Sequence, residues 1–205
     1  RPDVPSKVNG QAEFGIDVKV PGMLYATMQR CPLIHGKIVS FNEAEVAAMP
    51  GVKAVFKTER KMPHKAVDAV AIVADKYWSA LKARQALQIE WDNTGYENVS
   101  TETYFAECRA KVAQEGNSYP DTVGDVKTGF AQATKVIEAQ YETPFTAHAP
   151  IEPMNAVAHV QGDKVEVWAP VQGSTGTIHE VAAYLGIPKE NVTMHVVFMG
   201  GSFGR

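Results

Sequence analysis

The chain has 205 residues, of which 45% are hydrophobic and 21% charged, with a formal net charge of −3. This is an ordinary globular composition, long enough for one large domain or two small ones with real cores. The slight negative charge and scattered basic residues argue against nucleic acid as a partner, and no apolar run reaches the roughly 18 residues that cross a bilayer.

Residues 8–20 mix polar and apolar side chains ahead of Pro21-Gly22, a turn pair. Residues 23–28 and 36–41 read as strands, and Asn42 is placed to cap a short helix over 43–48 that Pro50-Gly51 closes. Residues 52–56 are β-rich, the charged stretch 57–64 reads as an exposed loop, and 69–74 as a buried strand. Asp75 is the expected N-cap of a helix running to about Ala86, with Tyr77, Trp78, Leu81 and Leu87 as its apolar stripe, before a strand at 87–91. Residues 92–124 turn polar and hold one amphipathic helix, about 101–114, capped by Ser100 or Thr101. Beyond them the pattern predicts a short helix over 125–133, a strand over 135–143, and a hairpin of 156–161 with 164–169 about Gly162-Asp163. A helix over 173–185 follows, ended by Gly186-Ile187-Pro188, and then a strand over 192–199. The mixture is α+β rather than a regular βαβ alternation.

Three segments have residue types suited to chemistry. The run Gly200-Gly201-Ser202-Phe203-Gly204 follows a strand, and glycines there either let backbone amides approach a ligand closely or make a plain tight turn. Met199 stands where a dinucleotide fingerprint needs its first glycine, and no Walker pattern is present. In Ala147-His148-Ala149-Pro150-Ile151-Glu152-Pro153-Met154-Asn155, two prolines bracket a carboxylate. Glu152 is expected to clamp backbone rather than act as an acid catalyst, and His148, with no partner at metal spacing, to be a hydrogen-bonded structural histidine. In Trp168-Ala169-Pro170-Val171-Gln172-Gly173-Ser174 the Gln172 amide can donate to a ligand oxygen beside a helix N-terminus, whereas Ser174 lacks a nucleophile-elbow context. The two cysteines, Cys31 and Cys108, match no zinc or redox spacing and are expected to be buried or half-buried thiols. Two thiols also fall short of the about four that hold an iron–sulfur cluster.

Taken together these segments resemble the large molybdenum-binding subunit of the xanthine dehydrogenase and aldehyde oxidase family, in the branch of the isoquinoline oxidoreductase β subunit and related membrane-associated aldehyde dehydrogenases. In the first half the resemblance rests on Gly10-Gln11-Ala12-Glu13-Phe14 with Asp17, Pro21-Gly22-Met23-Leu24-Tyr25-Ala26, Arg30-Cys31-Pro32 and Ile34-His35-Gly36-Lys37-Ile38, continued by residues 69–78 and 80–91. In the second it rests on Gly124-Asp125-Val126 and residues 148–154, 168–172 and 200–205. It implies an a/b hammerhead-like domain over 1–92, a connecting segment with a helix over 93–124, and the first part of a molybdopterin-binding α+β domain over 125–205. Arg1 in place of a methionine, and a glycine loop as the last element, lead to the expectation that the chain is a piece of something longer.

The implied cofactor is molybdenum on a pyranopterin dithiolene, in its cytosine dinucleotide form, serving to oxidise aldehydes or N-heterocycles with oxygen from water. Gln172 matches the family's catalytic, cofactor-binding glutamine, and Gly200, Gly201, Ser202, Phe203 and Gly204 match its cofactor loop. Ser202 stands where the family carries glycine, which is tolerable if its φ is negative, and Arg205 favours the isoquinoline-type branch. The family's general base lies downstream of such a loop, so residues 1–205 alone are expected to bind no molybdenum and to be inactive, with no metal ligand among them. An iron–sulfur subunit or a cytochrome is the implied electron acceptor, and the branch favours a periplasmic or membrane-associated location. The alternative is a non-catalytic α+β binding or assembly module on the same scaffold. A third reading, a nucleotide-binding enzyme using the last loop alone, is weakened by the missing fingerprint glycine.

Overall fold

The computed structural model describes residues 2–33, 36–62, 65–117 and 123–203. In chain order they form α1 (Val4–Val8), β1 (Tyr25–Arg30), β2 (Lys37–Phe41), α2 (Glu43–Ala47), β3 (Val52–Met62), β4 (Lys65–Ala74), α3 (Tyr77–Ala86), β5 (Ile89–Asp92), α4 (Thr101–Val112), α5 (Val126–Gln132), β6 (Val157–Gln161), β7 (Lys164–Ala169), α6 (Ser174–Leu185) and β8 (Val192–Val196). The chain divides into two compact units, residues 23–139 and residues 1–22 with 140–205. The mixed α+β class expected from the pattern is what forms. No helix among the described residues is long and apolar enough to cross a membrane.

In the unit of residues 23–139, β4 is the centre of an antiparallel sheet in the order β1-β4-β3, and β2 pairs with β5 in a second small sheet. The apolar run of β4 is continuous because both of its faces are covered, with Val70, Ile72 and Ala74 fully buried on one and Ala69 and Ala71 buried on the other. The core joins Val46 of α2, Val55 of β3, Val70 and Ile72 of β4 and Ala83 of α3. Helix α3 buries Ala80 and Ala83; of the expected stripe Leu87 packs on the core and Leu81 is half-buried, while Tyr77 and Trp78 stay 51% and 61% exposed. Small residues let the helix lie close on the sheet.

Two cap expectations change. Lys76, not Asp75, is the N-cap of α3, and its side chain makes no cap hydrogen bond. Asn42 holds the cap position of α2, but its Oδ1 accepts from the Gln88 amide at 2.8 Å and its Nδ2 donates to the Ala86 carbonyl at 3.2 Å. Ser100 caps α4 by accepting from the Thr103 amide, and Asp125 caps α5 by accepting from the Lys127 and Thr128 amides. Helix α4 fully buries no residue, and of its expected amphipathic face Phe105 and Cys108 are half-buried.

The stretch 57–62, expected to be a loop, instead continues β3 in register with β4 down to Met62 opposite Lys65; Pro63 and His64 lie outside the described residues. Lys57 and Glu59 are exposed on the face of the strand that meets water, and Lys57 finds a buried partner. Asp68, 2% exposed on β4, accepts from the Ile38 amide at 3.0 Å and pairs with Lys57 at 2.9 Å and Lys37 at 3.6 Å. Burial alone would raise its carboxyl, but the Ile38 amide and the two lysines outweigh that and hold it below the usual value. Asp68 thereby ties β2 to the larger sheet. The expected strand over 135–143 does not form, since its residues find no ladder partner among the described residues.

In the other unit, β6 and β7 form the expected hairpin, with Gly162 at φ 62 in the turn. Strand β8 joins β7 in parallel, and α6 is the crossover between them. Gly186 ends α6 at φ 68, where a residue with a Cβ would be strained. Val165, Val167 and Ala169 bury one face of β7 with Val181, Ile187 and Met194 packed on them.

Candidate functional site

Parallel strands bring their carboxyl ends to one edge of a sheet, which is where ligands sit in open α/β arrangements. Here Ala169 of β7 lies opposite Val196 of β8, and the Val197 amide reaches the Ala169 carbonyl at 3.4 Å. Gln172 follows β7 in the turn before α6, and the glycine run follows β8. The two sequence-selected segments therefore leave the same end of the same strand pair. Gln172 is exposed and keeps an interaction of its own. Gly204 lies outside the described residues.

The route from β8 into the loop is fixed on both sides. Phe198 bridges Phe14 in parallel: the Gly15 amide donates to the Phe198 carbonyl at 3.2 Å, and the Phe198 amide to the Glu13 carbonyl at 3.3 Å. The rings of Phe14 and Phe198 meet with centroids 6.0 Å apart. From the other side, the Ile151 amide donates to the Gly201 carbonyl at 3.2 Å and the Glu152 amide to the Gly200 carbonyl at 2.9 Å.

Glu152, 7% exposed, is the hub. Its Oε2 accepts from the Gly200 amide at 2.6 Å, while its Oε1 accepts from the Ile16 amide at 2.9 Å and from Asn155 Nδ2 at 2.8 Å. Burial would raise this carboxyl, yet the Gly200 amide, the Asn155 side chain and the Ile16 amide together keep it below its ordinary value. The expectation of a backbone clamp holds, and with both oxygens engaged the group is not placed as a proton acceptor.

The glycines have a specific reason to be glycines. A Cβ on Gly200 would stand 3.2 Å from Glu152 Cβ, and one on Gly201, at φ 59, 2.9 Å from Ile151 side-chain carbons. Their missing side chains thus make room for this chain's own Ile151 and Glu152. Ser202 is not in the left-handed region, so the serine fits, whereas Phe203 adopts φ 50 with its ring 68% exposed. A non-glycine residue there is uncommon and marks a constrained site. Among the described residues the amides of Gly201, Ser202 and Phe203 donate no hydrogen bond. Consecutive undonated amides make an anion-binding concavity, so the loop suits a ligand with anionic acceptor atoms.

Elsewhere the expectations divide. His148 is exposed and makes no hydrogen bond among the described residues, which corrects its reading as a hydrogen-bonded structural residue. Cys31 is buried and Cys108 half-buried, both free. Among the described residues no group of His, Cys, Asp and Glu is arranged to hold a metal ion. The sequence reading passed over Ile16, Gly15 and Asn155. Asn155 Oδ1 is buried without a partner, and a Cβ on Gly15 would fall 2.4 Å from it. The one signal available was the spacing of Asn155 three residues after Glu152, which suits a side-chain clasp within a turn.

The strand pair and its amide-lined loop form the candidate site, at the carboxyl edge of a small sheet in an α+β protein. Residues 109–205 match the family model described as "Molybdopterin cofactor-binding domain". The chain is 30% identical over 214 residues to isoquinoline 1-oxidoreductase subunit beta of Brevundimonas diminuta, covering 100% of this chain and 26% of that one. It is 28% identical over 240 residues to the xanthine dehydrogenase molybdenum-binding subunit of Escherichia coli O157:H7, covering 100% and 32%. In fold it matches the crystal structure of quinoline 2-oxidoreductase from Pseudomonas putida 86, with a TM-score of 0.71 and 20% identity over 99% of this chain and 30% of that one. Over its whole length the chain is similar to part of the molybdenum-binding large subunits of xanthine dehydrogenases and related oxidoreductases, and it spans about a quarter to a third of the length of these relatives.

Proposed function

We propose that this chain supplies one wall of the molybdenum site in the catalytic subunit of a hydroxylase that oxidises aldehydes or N-heterocycles with oxygen from water. The observation that carries the reading is the shared carboxyl edge of β7 and β8, from which Gln172 and the loop of undonated amides both depart. When bound, the molybdenum–pyranopterin group supplies Lewis-acid and two-electron redox chemistry. Gln172 would hold an oxygen of the group through its amide, the amides of Gly201, Ser202 and Phe203 would donate to its anionic atoms, and the exposed Phe203 ring would lie beside it. Gly204 completes the loop.

The domain division belongs to the same proposal: a hammerhead-like part over 1–92, a connection over 93–124, and the opening of the molybdopterin-binding domain over 125–205. So do the cytosine dinucleotide form of the cofactor, an iron–sulfur subunit or cytochrome as electron acceptor, and a periplasmic or membrane-associated location. No residue of 1–205 is assigned as general base, and Glu152 is excluded from that role by its engaged oxygens. These residues alone are proposed to be inactive, because the relatives place about three quarters of their length outside the matched part.

Metal analysis decides the reading. The product of the native gene, purified from cells with intact molybdenum-cofactor synthesis, is expected to contain about one molybdenum per polypeptide, and Gln172→Ala to reduce turnover by about 10²–10³-fold, the usual cost of removing one oriented donor. Product without molybdenum under those conditions would sink it.

A further inference from the structure

We propose that Glu152 is a positioning residue for the cofactor loop: by holding the Gly200 and Ile16 amides on its two oxygens at once, it fixes where the following amides of Gly201, Ser202 and Phe203 stand. The inference rests on the reading of residues 200–204 as a cofactor loop, and it concerns a residue outside that loop.

A loop of five residues, three of them glycine, has no internal means of holding one shape, since each glycine widens the accessible backbone range. Yet its amides serve an anionic ligand only if they stand in one place before the ligand arrives. The constraint comes from outside. Glu152 grips Gly200 twice, by side-chain Oε2 and by backbone amide, while its Oε1 holds Ile16, which follows the Phe14–Phe198 bridge. One buried carboxylate thus locks the loop's first residue to the segment on its far side.

The charge is essential to this arrangement. An ionised carboxylate accepts on both oxygens and donates nothing, and three N–H groups converge on it here, from Gly200, Ile16 and Asn155. A glutamine has one oxygen, so its NH2 would face a donor on one side, leaving a buried amide unsatisfied. The loop's first residue would then be released and its next three amides with it.

The test uses the native gene product made with intact cofactor synthesis, as wild type, Glu152→Gln and Glu152→Asp. In E152Q the amides of Gly200 and Ile16 are expected to exchange about tenfold faster or more, with Val167 in β7 unchanged. Its molybdenum content is expected to fall, or the molybdenum EPR signature to shift. E152D keeps the charge on a shorter stem and is expected to retain more of both. Should E152Q fail to accumulate, E152D is judged on the same readouts, in the same direction and with smaller changes.

Unchanged exchange at Gly200 overturns the clamp. Faster exchange with wild-type molybdenum content and signature overturns the positioning role and leaves Glu152 purely structural. A wild-type product without molybdenum overturns the cofactor reading and the positioning role with it, while the exchange measurement still reports on the clamp.

Discussion

Glu152 and Gly200, 48 residues apart, are joined twice: Glu152 Oε2 accepts from the Gly200 amide at 2.6 Å, and the Glu152 amide donates to the Gly200 carbonyl at 2.9 Å. The next step along, Ile151 to Gly201, repeats the backbone contact. The glycine loop is therefore packed before any ligand is considered, and Gly200 and Gly201 are required first by the protein's own side chains.

That packing sets the cost of a methyl group at Gly201. The residue sits at φ 59 with Ile151 carbons 2.9 Å from where a Cβ would go. The left-handed backbone alone costs an alanine about 1–2 kcal/mol, so Gly201→Ala is expected to lower the denaturant midpoint accordingly, plus a steric part. Ile151→Ala in the same chain should return the steric part and not the backbone part. A G201A chain as stable as wild type would show that the loop does not hold this conformation.

Asp68 gives the acid behaviour of the other unit. It faces Lys57, Lys37 and the Ile38 amide, with Glu59 opposite it across the β3–β4 ladder. Its folded value is lowered below the ordinary 3.8, so the unfolded chain takes up a proton more readily than the folded one. The stabilisation is complete above that ordinary value and is lost as pH falls through the lower folded value. Asp68→Ala also strands the Ile38 amide, at about 1–3 kcal/mol; the lysines are half exposed and re-enter water, which keeps the cost below that of breaking a fully buried pair. Denaturation followed from pH 7 to pH 2 should show a smaller acid loss in D68A than in wild type. Parallel curves would remove Asp68 as the source.

Residues 136–138 test a different point. Val136, 47% exposed, and Ile137, 80% exposed, have strand-forming side chains but no ladder among the described residues. Amides without a stable partner exchange quickly. Val136, Ile137 and Glu138 are expected to exchange far faster than Val167 in β7, and equal protection would mean that the segment pairs as a strand in solution.

What the sequence made legible follows the range of the force involved. The 69–74 part of β4, the β6–β7 hairpin and α6 with its Gly186 end are set by local periodicity and turn chemistry, and they formed where the pattern put them, although β4 begins earlier, at Lys65. Lys57 to Met62 misled because charge was read as loop, when the ladder with β4 and the partnership with Asp68 decide that segment. Residues 135–143 misled in the opposite sense: a strand needs a neighbour, and propensity does not provide one. At the candidate site, the glycine run and the rigid Glu152 segment were visible as residue types. That one grips the other was not, because it depends on long-range hydrogen bonds that bring Ile16, Glu152 and Gly200 together.

The outer face of the β7–β8 pair offers a last measurement. Trp168 and His195 are direct neighbours in the parallel register, with rings stacked at 4.7 Å and 12°, and His195 Nε2 lies 2.9 Å from Glu166 Oε2. Both members of the His195–Glu166 pair are about two-fifths exposed, at 41% and 44%, so the ionic part, which exists only with His195 protonated, is worth only about 0.2–1 kcal/mol and weakens with salt. The ring stack does not depend on salt and should contribute about 0.5–1.5 kcal/mol. A double-mutant cycle of Trp168→Leu and His195→Ala is therefore expected to keep most of its coupling energy in high salt, whereas a cycle of Glu166→Gln with His195→Ala should lose it. Coupling that vanishes with salt in both cycles would mean that the charge, and not the stacked faces, joins β7 to β8 on this side.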